Sequence, residues 1–260
     1  MISQPSPGHC GMETLDRKNV VIVGAGEGLG REMIETARRA GAQTLAIARR
    51  PAPLAALAAA NPGVLTLAAD AADESTPARA FELLKPDLLV LCGGAIPEMA
   101  SLHDLTWESF SRNWENDVRA SFNFTKAALT APLARGSTVV LISSGAGLAG
   151  SLRTGGYAGA KRMQMFMADY AQEESDRLDL GVRFFSLVPR AIMPETALGK
   201  TAVEGYAKYR GISEAQFMAR FEHPQTAAGV AAALITLATE EPRREGTVFT
   251  VDGRGIAQVT

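Results

Sequence analysis

The sequence holds only two cysteines among its 260 residues, Cys10 and Cys92. Cys10 lies in a polar stretch near the start, whereas Cys92 ends a short apolar run of the kind that forms a buried strand. We therefore expect no disulfide bridge between them. This cysteine usage favours a reduced, cytoplasmic compartment over an extracellular scaffold built on disulfides.

Long hydrophobic runs and an excess of one charge are also lacking. No apolar stretch approaches the ~20 residues that a membrane helix needs, so no membrane association is expected. The net charge of −2 gives no electrostatic reason to expect nucleic acid as a partner. The only histidines, His9, His103 and His223, have no metal-ligand spacing, and no metal site is expected.

The start of the chain lacks the basic residues and the apolar stretch of a secretory signal peptide. Residues 1–16 are polar and rich in Pro, Gly and Ser, which predicts a mobile tail. Hydrophobic residues make up 47% of the chain and charged residues 21%, values typical of a globular protein with a sizeable core. Since no linker or repeat divides the rest, we predict one domain over residues 17–260.

Apolar runs of strand length alternate with longer segments of helical periodicity along this domain. The alternation predicts an α/β fold, in which a doubly wound parallel sheet of about seven strands carries helices on both faces. Ligands of such folds bind outside the carboxyl ends of the strands. The predicted strands are 19–23, 44–48, 64–68, 88–91, 138–142, 182–188 and 247–251, and the predicted helices are 28–40, 51–60, 75–84, 106–131, 156–177 and 224–239.

A glycine-rich turn joins the first predicted strand to the first predicted helix. Glycines let the backbone turn tightly and approach a pyrophosphate, and the helix N-terminus offers unpaired N–H groups to phosphate oxygens. A glycine-rich turn without a ligand is the alternative, but the position between strand and helix favours a dinucleotide. The predicted cofactor-binding residues of this turn are Gly24, Gly26, Gly28, Leu29 and Gly30.

The second predicted strand ends in Arg49 and Arg50, with no Asp or Glu beside them. An acidic residue there would bond the ribose 2′-hydroxyl of NAD, whereas arginine accommodates the 2′-phosphate of NADP. The pair therefore favours NADP, with NAD possible and two solvated arginines as the alternative. Glu27 counts against NADP if its carboxylate points to the same phosphate. Asp70, after the third strand, either bonds the adenine amino group or caps the next segment.

Ser144 follows the fifth predicted strand, and Tyr157 and Lys161 lie four residues apart at the start of the next helix. That spacing puts the tyrosine and the lysine on one helix face. A neighbouring ammonium favours the phenolate and lowers the tyrosine pKa, so Tyr157 is the predicted general acid or base. Ser144 would donate a hydrogen bond to the reacting oxygen, and Lys161 would also bond the nicotinamide ribose.

With these residues the chain resembles the short-chain dehydrogenase/reductase family, from about residue 18 to residue 259. The family's TGxxxGxG turn matches residues 23–30, with Val23 in place of Thr, and its VDG signature matches residues 251–253. Its catalytic Ser, Tyr and Lys fall on Ser144, Tyr157 and Lys161. The resemblance implies a seven-stranded Rossmann sheet, a bound NAD(P) and a homotetramer or dimer. In this family the helix carrying Lys161 packs against the partner subunit.

Three segments depart from the family pattern. Its NNAG after the fourth strand is Cys92-Gly93-Gly94-Ala95 here, where Gly93 would support the cofactor. Its catalytic Asn aligns with Asp117, which adds a negative charge. Asp117 either holds a relay water in place of that Asn or takes no part in the proton relay. Its PG after the sixth strand is Pro189-Arg190, so Arg190 either binds an acidic substrate group or points to solvent.

Residues 189–222 form a long irregular and helical insertion at the position of the family's mobile substrate lid. Its aromatic residues either close an apolar pocket or form a dimer surface, and the lid is favoured because long insertions beyond strand ends tend to be functional. The resemblance implies that Pro189 and Ile192, at its start, contact the nicotinamide.

The favoured hypothesis is an NADP-dependent oxidoreductase that moves a hydride between the cofactor and a small-molecule carbonyl or alcohol, with Tyr157 transferring the proton. The departures at Asp117, Cys92 and Arg190 motivate a second hypothesis, a cofactor-binding regulatory or structural subunit without turnover. An NAD-dependent alcohol oxidiser that uses the same residues is the third.

Overall fold

The computed structural model describes residues 14–241 and 243–259. Most of the predicted tail at 1–16, including His9 and Cys10, lies outside the described residues. Leu15, within that predicted tail, belongs to the domain: it is buried in the core, and its N–H donates to the carbonyl of Ala40 at 2.7 Å.

The strands form one sheet in the order β3-β2-β1-β4-β5-β6-β7-β8. Strands β1 to β7 pair in parallel, and β8 pairs antiparallel with β7. This arrangement confirms the predicted doubly wound α/β sheet. The strands are β1 (Asn19–Val23), β2 (Gln43–Ala48), β3 (Leu65–Ala68), β4 (Leu88–Leu91), β5 (Thr138–Ile142), β6 (Arg183–Pro189), β7 (Val248–Asp252) and β8 (Gly255–Gln258).

The sheet has eight strands rather than the predicted seven or so. The additional strand, β8, lies at the edge and is mostly exposed. An exposed edge strand needs no apolar run, and its sequence, GIAQ, therefore carried no hydrophobic signal.

Helices cover both faces of the sheet, as predicted. They are α1 (Gly28–Arg39), α2 (Pro51–Ala60), α3 (Thr76–Leu83), α4 (Trp107–Asn113), α5 (Arg119–Thr130), α6 (Ala146–Ala149), α7 (Tyr157–Arg177), α8 (Ala197–Arg210), α9 (Glu214–Met218) and α10 (Ala227–Thr239). None of the helices within the described residues is long and apolar enough to cross a membrane.

The core consists of two apolar layers, one on each side of the sheet. Successive side chains of a strand point to opposite faces, so Val20 and Ile22 join one layer while Val21 and Val23 join the other. Helices α1 and α10 cover the first layer, and α5 and α7 cover the second. Burial on both faces explains why the central strands are continuous apolar runs.

The helix predicted at 106–131 is interrupted. A π-helical turn at Trp114–Val118 separates α4 from α5. Apolar periodicity does not reveal such a turn, because it adds about one residue within otherwise helical backbone. The turn lies beside the cleft described below, and it carries Asp117 with its side chain buried.

Candidate active site

The carboxyl ends of β1, β4, β5 and β6 open into one cleft of about 1680 Å³. Strand β1 lies between β2 and β4, the point of a doubly wound sheet where ligands bind. All of the predicted site residues line this cleft, although their roles remain predictions. They are Gly24, Gly26, Gly28, Leu29, Gly30, Arg49, Arg50, Asp70, Gly93, Asp117, Ser144, Tyr157, Lys161, Pro189 and Ile192.

The glycine turn after β1 is tightly packed. Gly24 has a φ of +85°, and a Cβ there would lie 2.3 Å from Cα of Gly93. A Cβ on Gly30 would lie 2.3 Å from the carbonyl oxygen of Gly24. The turn therefore brings the N-terminus of α1 to the cleft, where its first N–H groups lack intrahelical acceptors. This arrangement fits a phosphate group.

The two arginines after β2 are held by different partners. Arg50 Nη2 lies 2.6 Å from Glu27 Oε1, whereas Arg49 Nη1 donates to Asn116 Oδ1 at 3.2 Å. Glu27 thus shares the end of the cleft that the arginines line, as the sequence argument against NADP required. The Glu27 carboxylate offsets the charge of Arg50, whereas Arg49 has no carboxylate partner among the residues that the structure describes.

Asp70 lies beyond β3, and its side chain accepts a hydrogen bond from the N–H of Ala72 at 2.9 Å. The carbonyl oxygen of the same residue accepts from Thr76 Oγ1 at 2.6 Å. Asp70 therefore stabilises the turn that leads to α3, and it also lines the cleft. The N-cap of α3 is Ser75, so Asp70 closes a turn before the helix rather than capping it, and contact with an adenine remains a prediction.

Ser144, Tyr157 and Lys161 meet at the centre of the cleft. Tyr157 begins α7 and is buried, and Lys161 follows one turn later with its Nζ 5.6 Å from the tyrosine ring centre. The preceding residue, Ser143, donates from its Oγ to the carbonyl of Lys161 at 2.7 Å, which ties α7 to the end of β5. Ser144 accepts a hydrogen bond from the N–H of Ala146 at 3.2 Å.

Asp117 contacts the Lys161 ammonium directly. Its Oδ2 lies 3.3 Å from Nζ, and its Oδ1 accepts from the N–H of Ala95 at 2.8 Å. The amide of Asn113 donates to both carboxylate oxygens at 3.4 Å. A Cβ on Gly94 would lie 2.6 Å from Oδ2, so Asp117 fills the space that a side chain at residue 94 would need. Gly94 and Asp117, which both depart from the family pattern, therefore lie next to each other in the structure.

Gln164 is a buried polar residue of the site that the sequence analysis did not identify. Its Oε1 accepts from Lys161 Nζ at 3.0 Å, and its Nε2 donates to Ser121 Oγ at 2.8 Å. Lys161 also donates to the carbonyl of Ile142 at 3.3 Å. Gln164 follows Lys161 by three residues, so the two side chains share one helix face. This spacing could have identified Gln164 from the sequence.

Burial raises the pKa of Tyr157 above its ordinary value, although Lys161 and a hydrogen bond with Ser144 act to lower it. The expected net decrease in the Tyr157 pKa is therefore not found. Burial also lowers the pKa of Lys161, but Asp117 outweighs this and holds that pKa above its ordinary value. Burial raises the pKa of Cys92 to about 11, so this thiol is neutral near pH 7. Tyr157 and Lys161 are thus both protonated near neutral pH.

The predicted nicotinamide end of the cleft is formed by Gly93, Pro189 and Ile192. Pro189 is buried at the end of β6, and Ile192 packs against the cluster of α8 and α9. Arg190 is exposed and lines the same cleft. Both alternatives for Arg190, a contact with substrate and a solvated side chain, therefore remain open.

The predicted lid at 189–222 contains α8 and α9, which build a small apolar cluster around Val203, Ala207 and Phe217. Tyr206 stacks on Phe217 and hydrogen-bonds Ser151, which lies between Ser144 and Tyr157 in the sequence. Residues of the segment, including Tyr206, Phe217 and Phe221, therefore line one side of the cleft. Its opening and closing remain a prediction.

The family model for short chain dehydrogenases matches residues 18–205. The chain belongs to the short chain dehydrogenase family. The structure of levodione reductase superimposes on this short chain dehydrogenase with a TM-score of 0.80 and 22% identity, covering 92% of this chain and 97% of that one. At this identity the likeness shows the fold alone.

The curated relatives of this chain include proteins named as reductases. L-Xylulose reductase of Homo sapiens is 28% identical over 129 residues, 49% of this chain and 53% of that protein. Carbonyl reductase (NADPH) 2 of Sus scrofa is 24% identical over 206 residues, 77% of this chain and 82% of that protein. The match thus spans about half the length of the L-xylulose reductase.

Proposed function

We propose that this short chain dehydrogenase transfers a hydride between a nicotinamide cofactor and a small-molecule carbonyl or alcohol. One observation carries the proposal: Ser144, Tyr157 and Lys161 line a single cleft together with the glycine turn of β1. A family relation to reductases supports it. The cofactor would supply the hydride in reduction and accept it in oxidation.

Tyr157 transfers the proton at the substrate oxygen. A raised pKa keeps its hydroxyl protonated near neutral pH, which suits proton donation and therefore the reduction of a carbonyl. Ser144 donates a hydrogen bond to the same oxygen and orients it. Lys161 supplies a fixed positive charge beneath the phenol, and its ammonium is the group that would bond the ribose of the cofactor.

NADP is the proposed cofactor. The Arg49 guanidinium has no carboxylate partner among the described residues, so it is available for the 2′-phosphate. The name of the relative from Sus scrofa specifies NADPH. The pairing of Arg50 with Glu27 weakens this preference, and NAD use is the competing outcome.

The test combines binding with turnover. NADPH and NADH affinities would be measured by fluorescence, followed by cofactor oxidation with a panel of ketones and aldehydes. We expect Tyr157→Phe to retain cofactor binding while turnover falls by roughly 100-fold or more. Near wild-type turnover in that variant would contradict the role of Tyr157.

A regulatory subunit without turnover is the second candidate. The direct Asp117–Lys161 pair favours it, because the carboxylate offsets the charge that would activate Tyr157. Cofactor binding without turnover of any compound in the panel would support this candidate. Turnover lost on Tyr157→Phe would exclude it.

We also propose that the protein forms a homo-oligomer. A second groove of about 720 Å³ lies between α5 and α7. Its largest apolar side chains are well exposed, with Trp114 at 49%, Phe122 at 54% and Tyr170 at 57%. An exposed apolar patch of this kind is typical of a subunit interface, and a second copy of the chain is the proposed occupant.

A further inference from the structure

The Lys161 ammonium has three N–H donors, and three protein acceptors lie around it. They are Oε1 of Gln164 at 3.0 Å, the carbonyl of Ile142 at 3.3 Å and Oδ2 of Asp117 at 3.3 Å. The lysine side chain is 6% exposed. Two of these groups, Gln164 and the Ile142 carbonyl, accept hydrogen bonds from the ammonium, and Asp117 forms an ion pair with it. They therefore compete with a ribose hydroxyl for its donors.

The orientation of Gln164 is fixed by a second contact. Its amide Nε2 donates to Ser121 Oγ on α5, and both residues are buried. A buried amide is costly unless both of its ends are hydrogen-bonded. The bond to Ser121 therefore directs the carbonyl oxygen of Gln164 towards Lys161.

The three acceptors differ in how readily they can be replaced. The Ile142 carbonyl belongs to the end of β5 and moves only with the sheet. Asp117 is charged, and hydrogen bonds between charged groups are about twice as strong as neutral ones. The neutral amide of Gln164 is the acceptor that gives way most readily.

We infer that Gln164 is a positioning residue that holds the Lys161 ammonium and competes with a ribose hydroxyl for one of its N–H donors. The inference rests on the proposed function, in which Lys161 bonds the cofactor. It assigns Gln164 a role in cofactor affinity without contact to the substrate. Cofactor binding then includes the exchange of one acceptor for another.

Gln164→Met removes this acceptor and keeps an unbranched side chain of similar size, which buried sites tolerate. The freed N–H then lacks a partner until a cofactor hydroxyl supplies one. We expect NADPH and NADH to bind roughly two- to tenfold more tightly, the equivalent of one neutral hydrogen bond. Fluorescence titration measures this directly.

Gln172→Met is the matched control. Gln172 lies on the same helix, and its Oε1 accepts from the N–H of Phe184 at 2.7 Å, away from the cleft. Its replacement should leave cofactor affinity unchanged. Unchanged or weaker affinity in folded Gln164→Met would overturn the inference.

Ser121→Ala provides a second variant in case Gln164→Met fails to fold. It keeps Gln164 but removes the hydroxyl that directs its amide. We therefore expect cofactor affinity to rise here too, but by less than in Gln164→Met. No gain in folded Ser121→Ala, where Gln164→Met does not fold, would also overturn the inference.

A titration of the cofactor-free protein separates this inference from the proposed function. The ionisable groups around the phenol are Lys161, Asp117 and Cys92. Ultraviolet titration of each protein against its Tyr157→Phe counterpart isolates the phenolate of Tyr157. We expect it to form at lower pH in Gln164→Met, because the released ammonium can approach the phenol.

Failure of the inference about Gln164 and failure of the proposed function give different experimental results. If the wild type binds neither NADPH nor NADH, the proposed function fails, whereas the titration still decides whether Gln164 retains the ammonium. An unchanged titration in Gln164→Met would overturn the inference whatever the cofactor affinity.

Discussion

The carboxylate of Asp117 lies 3.3 Å from the ammonium nitrogen of Lys161, and the two side chains are 0% and 6% exposed. A buried pair of this kind is nearly neutral as a unit, so the lysine shifts the nearby tyrosine less than an isolated ammonium would. Next to the larger effect of burial, the pair therefore contributes to the protonation of Tyr157 as well as to the position of Lys161.

Asp117→Asn should lower the pKa of Tyr157. The Asp117 charge raises that pKa because it disfavours a neighbouring phenolate, and the substitution removes this charge. Carbonyl reduction needs the protonated phenol, so the alkaline limit of activity should move to lower pH. The pH dependence of turnover measures the shift.

Asp104→Asn is the control for this experiment, because Asp104 is an exposed carboxylate in a 3₁₀ turn outside the lining of the cleft. It should leave the pH profile unchanged. A profile that stays fixed, or moves to higher pH, in Asp117→Asn would refute the electrostatic role of Asp117.

Gly94→Ala should destabilise the protein and disturb Asp117. The added Cβ would lie 2.6 Å from Oδ2 of Asp117, whose side chain is buried, and overpacking costs typically about 1–3 kcal/mol. Chemical denaturation measures the free energy of unfolding.

Gly159→Ala, in helix α7, offers a matched control. A Cβ there meets nothing within 4 Å, and alanine in a helix is favoured over glycine by about 1 kcal/mol. The two substitutions should therefore change stability in opposite directions. Equal stability of Gly94→Ala and the wild type would show that Asp117 adjusts without cost.

Much of the fold followed from the sequence because the central strands are buried on both faces and form unbroken apolar runs. The predicted site residues came from motifs at strand ends, and the structure places them along one cleft. The π-helical turn and β8 were missed because neither leaves a periodic apolar signal. The contacts of Lys161 with Asp117 and Gln164 depend on how α7 packs against its neighbours, which one sequence does not specify.

Glu27→Gln should strengthen the preference for NADPH over NADH. The substitution removes the carboxylate that lies 2.6 Å from Arg50 and leaves that guanidinium free for an anionic group. We expect the NADPH affinity to rise several-fold while the NADH affinity changes little, since the competing contact is one exposed ion pair of modest strength. Binding titrations with both cofactors measure the ratio.

Arg49→Gln provides the opposite case, because it removes the guanidinium that has no carboxylate partner among the described residues. NADPH affinity should fall and NADH affinity should remain. An equal change for both cofactors in either variant would mean that these side chains do not contact the 2′-position.

Phe122→Glu should dissociate the proposed homo-oligomer. Phe122 lines the groove between α5 and α7 and is 54% exposed in the single chain, so a second copy would bury it. An unpaired carboxylate in an apolar interface costs several kcal/mol, enough to lower the association constant by orders of magnitude. Sedimentation velocity would show a shift to the monomer. Leu83→Glu, on α3 at a side chain 51% exposed and outside this groove, should leave the wild-type species intact. A wild type that sediments as a monomer, or a Phe122→Glu variant that keeps the wild-type size, would place this groove outside any interface between copies of the chain.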